Sequence, residues 1–292
     1  MSDISSKEDD LQRIAQLQEK IKQYRPGSTI RLKEKRPKRS PLQTRIGLFG
    51  GPGVGKSALI NSFLYATDTT AIPVWTHMAP EGYQSQAAMS TRRDAYDISS
   101  GLTVCDNRGM KDFSLKYMCE VNAQLAGARR DGAEVVWDKT IMSKLAGPFE
   151  RVFLAKEGQR IHCAILVLSA QRLSVQPSDM EHLIATIKKV TGYPPIVVIT
   201  HKNCTSDANS LSNYQKTLKD VGIMYVFLVE NYTFTDFRYD SEKHLAALEV
   251  LYQCMIEADK IMQVLLTDEP EEEERTKTGE EKKEEKGWCS IQ

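Results

Sequence analysis

Eight consecutive residues, Gly50-Gly51-Pro52-Gly53-Val54-Gly55-Lys56-Ser57, fit the pattern G-x-x-x-x-G-K-[ST] without a mismatch. Glycines at this spacing let backbone N–H groups converge on an anion, and a following helix adds the positive end of its dipole. Lys56 supplies a compact positive charge for outer phosphates, and the Ser57 hydroxyl suits a hard cation such as Mg2+. Gly51 through Ala58 is therefore the expected phosphate cradle. The pattern needs a strand before it and a helix after it. Arg45 to Phe49 reads as a short buried strand, and Ala58 to Leu64 as the opening of a helix with an apolar face. The expected ligand is a nucleoside polyphosphate.

A second element is Asp106-Asn107-Arg108-Gly109, a D-x-x-G at the end of the Leu102 to Cys105 strand. An aspartate there can hold Mg2+ through water, and the Gly109 N–H can sense a terminal phosphate. A third is Thr200-His201-Lys202-Asn203-Cys204, where GTP-binding proteins carry [NT]-K-x-D. In this frame Lys202 packs over the base, with His201 beside it, and Cys204 stands where the base-reading carboxylate belongs. Loss of that carboxylate weakens base discrimination by about 2–4 kcal/mol. The segment Glu230-Asn231-Tyr232-Thr233, with Asn231 as its contact, reads as closing over the base or, equally, as a plain surface turn. Met110 follows the D-x-x-G and cannot polarise water, so unaided hydrolysis is expected to be slow. Arg108 is a weak candidate for an in-cis charge stabiliser, and a plain surface role is the favoured reading. Thr91 and Ser85 are candidates for a switch residue on the metal.

The elements that must hold these groups read as alternating strands and helices. Asp94 to Asp97 and Leu102 to Cys105 form an expected strand pair. Ile161 to Leu168, Ile196 to Thr200 and Met224 to Val229 are apolar runs of the kind found in central parallel strands. Helical patterns cover roughly Ser178 to Val190 and Asp207 to Asp220. A last helix opens at Ser241 as N-cap, with Leu245, Leu248, Tyr252 and Met255 on one face. The pattern is α/β: a doubly wound, mostly parallel sheet with ligands at the strand C-termini. Residues 111–160 are long for one connection and predict inserted helices.

Lysine plus arginine and aspartate plus glutamate balance at 39 each, so no nucleic-acid partner is expected. Charge is segregated locally. Leu11, Ile14, Leu17 and Ile21 lie at helical spacing near the start, followed by a basic stretch from Arg31 to Arg39. That stretch reads as a solvated spacer, as a contact for an anionic membrane surface, or as an import signal. From about Thr267 the sequence turns glutamate- and lysine-rich and is expected to be disordered. The six cysteines show no paired C-x-x-C spacing, and several sit in apolar runs, as reduced thiols do. Met1 to Asp10 is polar and unlike a secretory signal, and no apolar run nears the roughly 18–20 residues that span a bilayer. The expected compartment is cytoplasmic. The final Cys289-Ser290-Ile291-Gln292 fits C-a-a-X, making Cys289 a prenylation candidate and peripheral membrane contact an expectation. One prenyl chain binds membranes marginally, so a second signal would be required.

Taken together, GGPGVGKSALINSF, TVCDNRGM, IHCAILVLSAQ, VVITHKN and FLVENYT make residues 43–266 resemble the interferon-induced protein 44 family of GTPase-like proteins. More distantly they are similar to immunity-associated (GIMAP-type) and septin-type GTPases. The resemblance implies a Ras-like G domain of the P-loop NTPase class, with GTP or GDP and Mg2+ as ligands. It also implies an innate-immune setting. Residues 1–42 form the expected N-terminal helix and basic linker, and residues 267–292 the acidic tail. The expected function is a guanine-nucleotide switch that self-associates through its G domain. Two alternatives stand beside it: a pseudo-GTPase scaffold that does not cycle, and an ATP-using P-loop enzyme.

Overall fold

The computed structural model describes residues 2–29, 43–70, 79, 92–135, 157–173, 177–204 and 208–267. Six strands form one sheet: β1 (Thr44–Gly50), β2 (Asp94–Ser99), β3 (Leu102–Asp106), β4 (Cys163–Ser169), β5 (Ile196–Thr200) and β6 (Val226–Leu228). Their order is β2-β3-β1-β4-β5-β6. All neighbouring pairs are parallel except β2 with β3, an antiparallel hairpin whose register shifts between Asp97 and Ser99. The strand order reverses beside β1, so the loop after β1 lies at the switch point where open α/β sheets bind ligands. This is the mostly parallel α/β fold of P-loop NTPases.

Alternation along the strands sends side chains to opposite faces, and each face has its own apolar layer. Ile46, Leu48, Val104, Ile165 and Val198 point to one face. There they meet α1 (Ser2–Lys22), α2 (Lys56–Thr67) and α6 (Ser241–Thr267). Phe49, Cys105, Leu166, Val197 and Ile199 point to the other. That side is covered by α3 (Leu115–Leu125), α4 (Glu181–Thr191) and α5 (Ala208–Asp220). Burial of a large apolar side chain contributes about 1.5–3 kcal/mol, so the two layers hold the sheet between them. No described helix is long and apolar enough to cross a membrane.

Several expectations are refined. The N-terminal helix docks on α6 through Ile14, Leu17 and Ile21, while Leu11, expected on the same stripe, is 52% exposed. The docking is completed by the Asp259 carboxylate of α6. It accepts from Tyr24 Oη at 2.6 Å, Gly27 N at 2.7 Å, Thr29 N at 2.8 Å and Thr29 Oγ1 at 2.5 Å. The N-cap of α6 is Asp240 rather than Ser241: its Oδ1 accepts from Glu242 N at 2.9 Å and Lys243 N at 3.1 Å. The shift satisfies two orphan donors of the first turn with an anion, which also suits the helix dipole. β6 is shorter than its apolar run, three residues long. In the long connection α3 is a helix, as expected, and residues 136–156 lie outside the described residues. So do the basic stretch from Arg31 to Arg39, the acidic tail, Thr91, Ser85 and Cys289.

Candidate functional site

β1 and α2 are joined by the glycine loop. α2 begins at Lys56, directly after Gly55, whose φ of 89° lies in the left-handed region. A side chain there would also meet Asn231 Nδ2 at 2.9 Å, so both backbone and space require glycine. Asn231 Nδ2 in turn donates to Gly55 O at 3.1 Å. No side chain caps the first turn of α2, as an anion site at a helix start needs. Lys56 is buried, and its Nζ donates to Gly51 O at 2.8 Å, holding the ammonium across the loop. Burial pushes its pKa down, and the nearby Asp106 carboxylate opposes part of that shift. A phosphate at this place would compensate the buried charge directly.

Asp106 ends β3 beside β1, with 1% of its surface exposed. Its Oδ2 accepts from Ser57 Oγ at 2.7 Å. Hydroxyl and carboxylate oxygens in contact at the edge of a phosphate loop are a donor set suited to Mg2+. That ion in phosphate sites takes one or two protein oxygens and fills its remaining positions with phosphate and water. Among the described residues no group of three or more His, Cys, Asp or Glu forms a protein-only metal cage.

The D-x-x-G segment lies against the loop itself. A Cβ on Gly109 would stand 2.7 Å from Pro52 N and 2.8 Å from Pro52 Cα. Met110 N donates to Gly50 O at 3.0 Å, and its side chain is buried with Phe49 and Phe113. Asn107 Nδ2 donates to Leu48 O at 3.1 Å. Arg108 Nη1 donates to Val135 O at 2.9 Å, so its guanidinium is engaged on that carbonyl. Thus Gly51, Pro52, Gly109 and Met110 form one packed unit.

The other wall comes from β4, β5 and the chain after β6. Thr200 Oγ1 lies 2.7 Å from Val54 O and 3.0 Å from Leu168 O. His201 has φ 55°, the one positive value at a non-glycine among the described residues. Strain of this kind gathers at ligand sites. Its Nδ1 is 3.0 Å from both Ser169 Oγ and Thr200 Oγ1. Burial lowers the His201 pKa, with Glu230 opposing and Arg172 adding to the shift, so the imidazole is neutral at pH 7. Lys202, expected over the base, instead forms an ion pair with Glu242 in the first turn of α6. Cys204 is exposed, and its N–H donates to His201 O at 3.0 Å.

Three more residues belong to this wall, of which only Arg172 stood outside the sequence motifs. Arg172 Nη1 donates to Pro52 O at 3.3 Å, laying a cation on the outer edge of the loop. Thr200 anchors β5 to Val54, and Glu230 Oε2 accepts from Asn203 N at 3.1 Å. Only folding reveals the first; an S-A-Q-R run after a strand carries no pattern of its own. A separate cavity of about 680 Å3, lined by Arg45, Asp94, Tyr96, Asp97, Asp131 and Gln159 among others, is formed without any phosphate-loop residue.

No protein-family model and no curated protein matches this chain. Solved structures do. The septin GTPase domain from Chlamydomonas reinhardtii is 13% identical, covers 77% of this chain and 96% of its own, and superposes with a TM-score of 0.41. Nucleolar GTP-binding protein 1 from Plasmodium falciparum is 14% identical, covers 80% and 95%, and gives 0.39. Both superpositions are loose. The strand order and the loop after β1 carry the fold, a mostly parallel α/β domain with a phosphate loop. None of these comparisons supports the resemblance to the interferon-induced protein 44 family, which stands on sequence motifs alone.

Proposed function

We propose that this protein is a guanine-nucleotide-binding, GTPase-like switch. Gly51 to Ala58 cradle the phosphates, Lys56 and Ser57 serve charge and metal, and Asp106 and Gly109 couple the metal site to the following loop. The observation that carries the reading is the packing of Gly109 on Pro52 beside the Ser57–Asp106 contact. It joins the phosphate cradle and the D-x-x-G into one unit. Mg2+, when bound, neutralises phosphate charge; the chain's own part is to orient the phosphates and register whether the terminal one is present. Calorimetry with GTP, GDP and ATP plus Mg2+, on wild type and Lys56→Ala, tests this. Guanine nucleotides bind the wild type and lose at least tenfold in the variant; no heat with any nucleotide overturns the reading.

A second reading, the pseudo-GTPase scaffold, is favoured by Met110, which is buried and offers no group to orient water. Single-turnover phosphate release at high protein concentration separates the two, because release requires a completed site. The innate-immune setting, self-association through the G domain, cytoplasmic residence and membrane contact through a prenylated Cys289 complete the proposal. They follow from the sequence resemblance and the C-a-a-X ending.

A further inference from the structure

Base recognition in this site has no carboxylate at the position read from the sequence as the base reader, since Cys204 stands there. We infer that Glu230 supplies the guanine-reading carboxylate, with Asn203 and His201 completing the base slot; this rests on the nucleotide-switch reading above. The register is the first observation. β5 ends at Thr200, and the Thr200 hydroxyl reaches the phosphate-loop carbonyl of Val54 at 2.7 Å. Counting [NT]-K-x-D from that anchored threonine gives Thr200-His201-Lys202-Asn203, one residue earlier than the frame set by Lys202. Lys202 is already committed to Glu242. In this frame His201 takes the place of the lysine that covers the base, and Asn203 that of the aspartate.

Three further features favour the frame. His201 is held in left-handed backbone at φ 55°, with its Cε1 3.5 Å from where a Gly55 Cβ would stand. An uncharged imidazole beside the phosphate loop is a flat surface against which a purine can lie. Glu230 is half-buried, its Oε2 is fixed by Asn203 N at 3.1 Å, and its charge is felt by His201. Asn231, next in sequence, is 5% exposed and spans to Gly55 O through Nδ2, while its Oδ1 has no partner among the described residues. A buried amide oxygen without a partner beside the loop is a group that a ligand N–H would satisfy.

The chemistry selects guanine. Its Watson–Crick edge presents N1–H and N2–H donors to an acceptor-only carboxylate, whereas adenine presents a lone pair at N1, which a carboxylate repels. A site that depends on such bonds rejects ligands lacking them far more strongly than an apolar slot rejects a change of shape. Asn203 alone would be a weak reader, because its amide can present one oxygen only.

The test compares GDP, XDP, IDP and ADP binding by calorimetry, with Mg2+, to wild type and the Glu230→Gln, Asn203→Asp, Cys204→Asp and Lys56→Ala proteins. Wild type prefers GDP. Glu230→Gln keeps an oxygen for Asn203 N–H and unfolds at the wild-type temperature, yet loses about tenfold to a hundredfold on GDP and gains on XDP, whose C2 oxygen accepts from the new amide. Asn203→Asp tightens GDP, and Cys204→Asp leaves it unchanged. GDP affinity within twofold of wild type in Glu230→Gln, or tightening in Cys204→Asp instead of Asn203→Asp, overturns the assignment. Wild type that binds all four nucleotides equally, with Lys56→Ala abolishing each, overturns base reading and leaves the phosphate site standing. Wild type that binds none overturns both.

Discussion

Ser57 Oγ donates to Asp106 Oδ2 at 2.7 Å, across 49 residues of sequence and two neighbouring strands. The contact exists because β1 and β3 are parallel and in register from Thr44 with Leu102 to Leu48 with Asp106. Strand pairing thus delivers the carboxylate to the mouth of the loop, and the first turn of α2 delivers the hydroxyl.

This contact sets an expectation for metal. Ser57→Ala removes one hard oxygen and leaves Asp106 in place, so triphosphate binding weakens about tenfold when Mg2+ is present and changes little with EDTA. Calorimetry in the two buffers checks it. Equal loss in both buffers would mean that Ser57 acts on phosphate or on folding rather than on the metal.

Gly109→Ala is expected to pry the D-x-x-G segment off the loop. The added carbon would lie inside contact distance of backbone atoms of Pro52, which cannot rotate away. Overpacking of this kind costs about 1–3 kcal/mol. Thermal unfolding should fall, and nucleotide affinity should fall further than Gly132→Ala lowers it. Gly132 has open space around the same carbon, and its φ of 75° strains an alanine through the backbone alone.

Acid should weaken the fold through two histidines. His162 is held at a pKa of about 4, chiefly by burial and then by the charges of Arg160 and Arg45, against an ordinary 6.5. Its Nδ1 accepts from Arg45 N at 3.0 Å, so protonation there also breaks a bond. His244, beside the Tyr232 hydroxyl, is likewise lowered to about 4 by burial. Both are neutral in the folded state, while the unfolded chain takes up protons near pH 6.5. Their contribution is complete above about pH 6.5 and drains as pH falls toward about 4, by up to about 3 kcal/mol for His162. Urea midpoints between pH 7 and pH 4.5 measure it. His162→Gln, which keeps an acceptor without the titration, should flatten that slope.

Asp259→Ala should release the N-terminal helix while leaving the sheet intact. Four donors from Tyr24, Gly27 and Thr29 lose their acceptor, a cost of about 3 kcal/mol. Limited proteolysis is expected to cut near Gly27 far sooner than in wild type, with nucleotide affinity unchanged.

The sheet was legible because its central strands are continuous apolar runs, and the phosphate loop because its spacing is rigidly tied to backbone geometry. What escaped depended on contacts between distant residues. Asp240 and Ser241 are equally good caps by type, and only the chain's entry into α6 decides between them. The base segment can be framed on Lys202 or on Thr200, and the contact with Val54, 146 residues away, is invisible in a linear pattern. Asp259 reads as a polar position on a long helix until Tyr24, Gly27 and Thr29 fold around it. Glu230 was marked only as the start of the segment expected near the base, since one carboxylate after a strand is common.

The sheet's first strand has a consequence for assembly. β2 forms a margin of the sheet, its register is broken after Asp97, and Arg93 beside it exchanges backbone bonds with Gly132 and Ala133. Asp94 and Asp97 place negative charge along the same border. Irregular pairing, acidic side chains and a covering segment each discourage a foreign strand from annealing there. Pairing of a second strand across β2 is thereby disfavoured.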